Sequence, residues 1–192
     1  MTNGKIHFWT IQKPEIINTV MREGTFLADF SKSDYLETIP DLDVLYEWLL
    51  KAYNNVNKTD FKGLVFGFMR MVDGQVKDIE DLEEFLETVY DGKDALRSMW
   101  NYFKMKNCKI VHLETERKYN PMGIDLNDFQ VLMPPMLIIP PFTEDYVSWM
   151  MKTFFSGVAP QSIFPSNIMQ VHIPQINRED IVQVYDMFEL PE

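Results

Sequence analysis

A single cysteine, Cys108, stands in a chain of 192 residues. One thiol excludes an internal disulfide and fits a reducing compartment. Its apolar, strand-like surroundings mark it as a buried structural thiol rather than a nucleophile. Histidine is scarce too, with three in the chain. His7, His112 and His172 are far apart in sequence, each between apolar neighbours on a predicted strand. That spacing gives no ligand pair, so no metal site is expected, and a histidine acting as a pocket donor or acid–base group is the functional alternative. The eight glycines form neither a Gly-x-x-x-x-Gly-Lys-Ser/Thr loop nor a Gly-x-Gly-x-x-Gly turn. The known phosphate-cradling loops are therefore missing. The serine elbow Gly-x-Ser-x-Gly is missing too. Basic residues are few: 18 Lys and Arg against 29 Asp and Glu leave a formal charge of −11. This opposes a grip on nucleic-acid phosphates, although a local basic pocket remains compatible with it. No apolar run approaches the twenty or so residues of a membrane span. The best stretch, 131–142, carries Pro134, Pro135, Pro140 and Pro141. The opening residues lack the apolar continuation of a signal peptide. A soluble, cytoplasmic protein without membrane contact is the expectation.

What is present suits one globular domain covering residues 1–192. A chain of this length buries roughly 70% of its unfolded surface, enough for a core without staples. Aromatic residues at 14% and thirteen methionines supply that core. Methionine fills irregular gaps, or alternatively gives a plastic partner surface. Residues 6–12 read as a buried strand. Lys13 to Glu23 then reads as a short amphipathic helix, with Pro14 at its start, Glu15 in its first turn and Gly24 as its stop. Ile16, Ile17, Val20 and Met21 give its apolar stripe. A second helix starts near Pro40 and Asp41, with Leu42, Leu45, Tyr46, Leu49, Leu50 and Tyr53 recurring at helical spacing. Residues 63–72 form a strand, Asp73-Gly74 is a hairpin-type turn, and Gln75-Val76 a short return. Asp78 is placed to cap a third helix, buried through Leu82, Phe85, Leu86 and Val89. The acidic face of that helix (Glu80, Asp81, Glu83, Glu84, Glu87) is either a solvated surface or a docking surface. A fourth helix after Gly92 turns Leu96, Met99, Trp100 and Phe103 inward.

From Cys108 onward strands dominate. Residues 108–114 form one, residues 120–123 a turn cluster, and 129–133 and 136–139 two short strands stopped by Pro-Pro pairs. A fifth helix follows Thr143, with strands at 168–173 and 181–184 around a helical turn at 177–180. Helices lie mostly in the first half and do not alternate with strands. The fold class is therefore α+β, a single domain with a mostly antiparallel split sheet. Carboxylate pairs are plentiful but unspecific. Asp41/Asp43 and Asp125/Asp128 sit near element ends, where capping is the ordinary role. Glu114 and Glu116 share a strand face, an arrangement usable for acid–base work and common on solvated faces.

The two ends of the chain carry a resemblance. Trp9-Thr10-Ile11-Gln12 with Gly24, Leu27 and Asp29, then Tyr46-Glu47-Trp48-Leu49, then Gln170-Val171-His172-Ile173 with Glu179, Asp180 and Phe188, resembles an uncharacterised bacterial and phage domain family that opens on Trp-Thr-Ile-Gln. More distantly, both ends are similar to ADP-ribosyltransferases of the DNA-modifying toxin kind. That likeness puts Thr10 where the NAD-contacting His of those enzymes stands, and Gln12 at their Thr. Gln170 matches their Gln, and His172 replaces their catalytic Glu. A histidine does not supply the carboxylate that stabilises a developing cation. The resemblance implies a cleft between the first and last strands, lined by Trp9, Thr10, Gln12, Gln170 and His172. It implies NAD or a nucleotide-like ligand there, and leaves catalysis open. The alternative is a non-catalytic, acidic interaction or inhibitor protein, phage- or mobile-element-encoded, docking on a host protein.

Overall fold

The segment Lys5–Gln12 forms β1, the strand on which both halves of the core are built. Phe8, Trp9 and Thr10 are fully buried and Ile11 nearly so. A strand alternates its side chains between two faces. Trp9 and Ile11 therefore join one apolar cluster and Phe8 the other. Both faces of this strand are covered, which accounts for its apolar run without polar alternation. The computed structural model describes residues 5–33, 42–73, 75–116, 122–125 and 167–191. The strands expected at 129–133 and 136–139 and the helix after Thr143 lie outside the described residues.

Helix α1 (Pro14–Glu23) ends as its sequence foretells. Gly24 adopts φ 85°, and its N–H donates to Val20 O at 2.8 Å. Strand β2 (Thr25–Leu27) follows, then a 3-10 turn (Phe30–Lys32) capped by Asp29, and helix α2 (Leu42–Asn57). Strands β3 (Val65–Val72) and β4 (Gln75–Lys77) make the expected hairpin, with Asp73 at φ 51°. Helices α3 (Leu82–Asp91) and α4 (Lys93–Met105) precede β5 (Lys109–Glu116), β6 (Met122–Asp125), β7 (Ile168–Ile173) and β8 (Gln175–Asn177). A 3-10 turn (Arg178–Asp180) leads to β9 (Ile181–Asp186). The main sheet is seven-stranded in the order β6-β7-β3-β1-β5-β9, with β4 beside β3, and every pairing is antiparallel. β2 and β8 form a separate two-stranded sheet. The fold is the expected mixed α+β arrangement with a mostly antiparallel sheet. No described helix is long and apolar enough to cross a membrane.

Three layers result. Tyr46, Leu49 and Tyr53 of α2, Phe85 and Val89 of α3, and Leu96, Met99, Trp100 and Phe103 of α4 pack on the face that holds Trp9. Val20 of α1, with Ala28 and Ile176 from the small-sheet region, packs on the face that holds Phe8. Trp9 fixes the first layer. Its ring lies 4.4 Å from Phe85 and 4.1 Å from His112, each at 10°. Its Nε1–H donates to Ile79 O at 2.6 Å. The indole thus fills the core and satisfies its own polar atom.

Two local expectations change. Asp81, not Asp78, caps α3. Its carboxylate accepts from Glu84 N at 3.0 Å, while Glu84 accepts from Glu80 N and pairs with Arg70 at 2.5 Å. Asp81 and Glu84 together satisfy two backbone N–H groups at the start of α3, while the Asp78 carboxylate accepts from His7 N at 3.4 Å instead. Residues 122 and 123, expected in a turn, belong to β6, with Gly123 opposite Val171. Pairing along β7 overrides the turn signal, and an edge strand tolerates a glycine.

On the second face, Gly67 admits the Phe8 ring. A Cβ there would stand 2.3 Å from that ring and 2.5 Å from Trp9 O. Gly67→Ala is expected to destabilise by roughly 1–3 kcal/mol through overpacking. A urea midpoint lowered at unchanged slope checks this, and a midpoint equal to that of the parent contradicts it.

Candidate functional site

The five residues expected to line one cleft divide between the two faces of the sheet. Thr10 and Gln12 lie on the α1 side. Thr10 Oγ1 donates to Phe66 O at 2.5 Å, and Gln12 Nε2 donates to Thr10 Oγ1 at 2.7 Å. Trp9, Gln170 and His172 lie on the side of α2–α4. Gln170 is the register partner of Phe68, and His172 that of Phe66, whose ring it meets edge-on at 5.0 Å. Directly opposed residues share a face. β3 also stands between β1 and β7, so these strands do not adjoin. Trp9, Thr10, Gln170 and His172 are buried, and of the five Gln12 lines a cavity at the end of β1.

That cavity has a volume of about 900 Å³ and opens where β1 ends and β3 and β5 begin. Four stretches of chain wall it: residues 11–33, from the end of β1 along α1 to the segment 25–33; Tyr46 of α2; the residues Leu64–Phe68; and the turn from α4 into β5. The segment 25–33 wraps past the sheet end. β2 pairs with β8, Ala28 N donates to Pro174 O at 3.1 Å, and Phe30 N donates to Lys62 O at 3.0 Å. Gly63 permits this closeness, because a Cβ there would stand 2.7 Å from Asp29 N. Asn107, in left-handed backbone at φ 54°, turns α4 into β5 and leaves Phe103, Lys106 and Cys108 on the cavity edge.

The inner wall is aromatic. Phe30, Tyr46 and Phe66 pack in a triangle with ring centroids 4.9, 5.4 and 6.2 Å apart. Polar groups ring the mouth: Gln12, Lys13, Glu15, Thr19, Glu23, Asp29, Lys32, Ser33 and Lys106. Burial pushes both the Tyr46 phenol and the Cys108 thiol upward, so each stays protonated and neutral near pH 7. The Asp29 carboxylate is held below its usual range, first by the Ser31 hydroxyl. These groups favour holding a ligand over attacking one. Among the described residues, the buried Tyr46 hydroxyl and both polar atoms of the Gln170 amide have no hydrogen-bond partner. Among the described residues no group of three or more His, Cys, Asp or Glu is arranged to hold a metal ion.

A second polar feature lies toward the other end of β1. His7 Nδ1 and His112 Nε2 approach to 2.9 Å, so one donates a proton to the other. Burial, and then the His7 ring, lower the pKa of His112 to about 4. Sequence reasoning placed these histidines on separate strands. The β1–β5 register, which sets Trp9 opposite His112, brings them together. Only Gln12 of the cavity lining was anticipated as a site residue. Tyr46 falls on the apolar stripe of the second helix and Phe66 in the strand expected at 63–72, and nothing in the sequence marks Phe30, Lys13 or Lys106 as their neighbours.

Comparison of the chain with protein families, with curated proteins and with solved structures finds no match.

His112 is a base with its folded pKa below its ordinary 6.5. The folded state then binds fewer protons than the unfolded state. Its contribution is complete above pH 6.5 and is lost as pH falls toward 4, up to about 3 kcal/mol. Thermal melts of the protein and of His112→Gln from pH 8 to pH 4 check the sign. The stability advantage of the parent over the variant should shrink across that window, and an advantage that grows would contradict it.

Proposed function

We propose that this chain is a small-molecule-binding domain and that its ligand occupies the cavity at the end of β1. The observation that carries this reading is an opening of about 900 Å³ with an aromatic wall and a polar mouth. Ligand sites are commonly concave, largely apolar and equipped with a few polar groups that set orientation. The buried, protonated Tyr46 and Cys108 favour binding over nucleophilic chemistry. An aromatic ligand body suits the Phe30–Tyr46–Phe66 wall, since rings prefer offset or tilted neighbours. A nucleotide such as NAD remains within this reading as one aromatic candidate, now at the strand ends with Gln12 as the shared residue.

A second reading rests on α3. Glu80, Glu83 and Glu87 are exposed, while Glu84 is turned to Arg70. An interaction protein would use that acidic face and leave the cavity empty. Reversing the charge at Glu80, Glu83 and Glu87 should then abolish the biological effect without changing ligand binding.

The test is a thermal-shift series with 8-anilinonaphthalene-1-sulfonate, adenosine and NAD, on the protein and on Thr19→Trp. Thr19 borders the cavity from α1, and an indole introduced there would narrow the opening. A probe at a hundred times its dissociation constant adds about 2.7 kcal/mol of stability. At least one probe is expected to raise Tm, and Thr19→Trp to remove that rise. No rise with any probe, or a rise that survives Thr19→Trp, contradicts the reading.

A further inference from the structure

We infer that the cavity selects a neutral aromatic ring carrying an N–H or O–H donor, that Gln12 Oε1 accepts this donor, and that Thr10 is the residue positioning Gln12. This rests on the small-molecule reading above and specifies its ligand. The orientation of the Gln12 amide follows from proton counting. Thr10 Oγ1 carries one proton, and its bond to the Phe66 carbonyl at 2.5 Å uses it, because a carbonyl only accepts. The hydroxyl is then left to accept from Gln12, so the amide nitrogen faces it at 2.7 Å. A flipped amide would set two acceptors against each other. Oε1 is therefore turned away from Thr10, and among the described residues nothing donates to it. Thr10 is fully buried behind the pair, whereas Gln12 is partly exposed and lines the cavity. The relay ends on Phe66, whose ring belongs to the aromatic wall, so the acceptor is held two hydrogen bonds from a residue of that wall.

Charged groups of the mouth are already engaged. Glu23 pairs with Arg22 at 2.7 Å and Asp29 with Lys32 at 3.7 Å. Lys106 lies over the Tyr102 ring at 5.7 Å, and Lys13 has a partner of its own. Gln12 is instead uncharged, held in one orientation and half-used. A preorganised acceptor meets a ligand donor without the ordering cost of a free side chain. A ligand acceptor in the same place would leave two acceptors opposed and unsatisfied.

Three rings of nearly one size test this by calorimetric titration at pH 7.5. Indole has an N–H donor, benzofuran has none, and benzoxazole has a ring-nitrogen acceptor and no donor. Indole is expected to bind about fivefold more tightly than benzofuran, and benzoxazole no more tightly than benzofuran. All three are neutral, so the preference should persist in higher salt, which screens only charges. Gln12→Met should remove the preference and keep benzofuran affinity, the sign that the cavity is intact. Thr10→Val should lower the preference too, and Thr10→Ser should retain it, since the hydroxyl is what orients the amide. Equal binding of indole and benzofuran, tightest binding of benzoxazole, or a preference that survives Gln12→Met overturns the selectivity and leaves the cavity reading standing. A preference that survives Thr10→Val overturns the positioning role of Thr10. Failure of all three probes to bind overturns both the selectivity and the cavity reading.

Discussion

The burial of Trp9 is the constraint on which the rest of the structure depends. Its ring lies between Phe85 of α3 and His112 of β5, and its N–H holds the chain at Ile79 just before α3 begins. One side chain therefore joins the central strand to its neighbour and to the helical layer. Immediately beside it, Phe8 points the opposite way and occupies the space that Gly67 leaves open. Two adjacent large rings on opposite faces fix β1 against sliding, because a shift by one residue would exchange them. The His7–His112 hydrogen bond lies on the Trp9 face and ties the same two strands.

With β1 fixed, the cavity follows from where the strands stop. β1 leaves the sheet at Gln12, and the chain turns into α1 at Pro14. The segment 25–33 then passes from the α1 face to the α2 face around that end. It carries Phe30 onto Tyr46 and Phe66. The close approach at Gly63 holds this segment at its far side, and the left-handed turn at Asn107 closes the opposite edge. The cavity is thus a consequence of strand lengths and two backbone contacts more than of any chemical motif. The surrounding titratable groups agree with this, since Tyr46 and Cys108 are kept neutral by burial.

Much of the fold is legible in the sequence because it rests on local signals. Pro14 and Gly24 bracket α1, Asp73 enters the turn of the β3–β4 hairpin in left-handed backbone, and Tyr46, Leu49 and Tyr53 recur at helical spacing with all three buried. The cap of α3 was harder to place. Asp78 and Asp81 are equally suitable residue types, and the choice depends on Glu84 reaching back to Glu80. The candidate site is less legible still. The expected cleft assumed that Thr10, Gln12, Gln170 and His172 converge. Sequence alternation alone separates even from odd positions within one strand, but says nothing of which face of one strand matches which face of another. That is set by register: Thr10 opposite Gly67 and Gln170 opposite Phe68 place the pairs on opposite sides. The cavity lining comes from four separated segments, and no spacing rule joins Lys13 to Lys106 or Phe30 to Tyr46.

The central claim is that the sheet end at Gln12, and not the buried polar pair Gln170 and His172, is where a ligand is held. Amide hydrogen exchange with and without saturating 8-anilinonaphthalene-1-sulfonate measures this directly, because exchange reports local opening segment by segment. The account predicts slowed exchange in the segment 25–33 and around Leu64–Phe66, with β7 unchanged. Slowing centred on 168–173, or none in any segment, would contradict it.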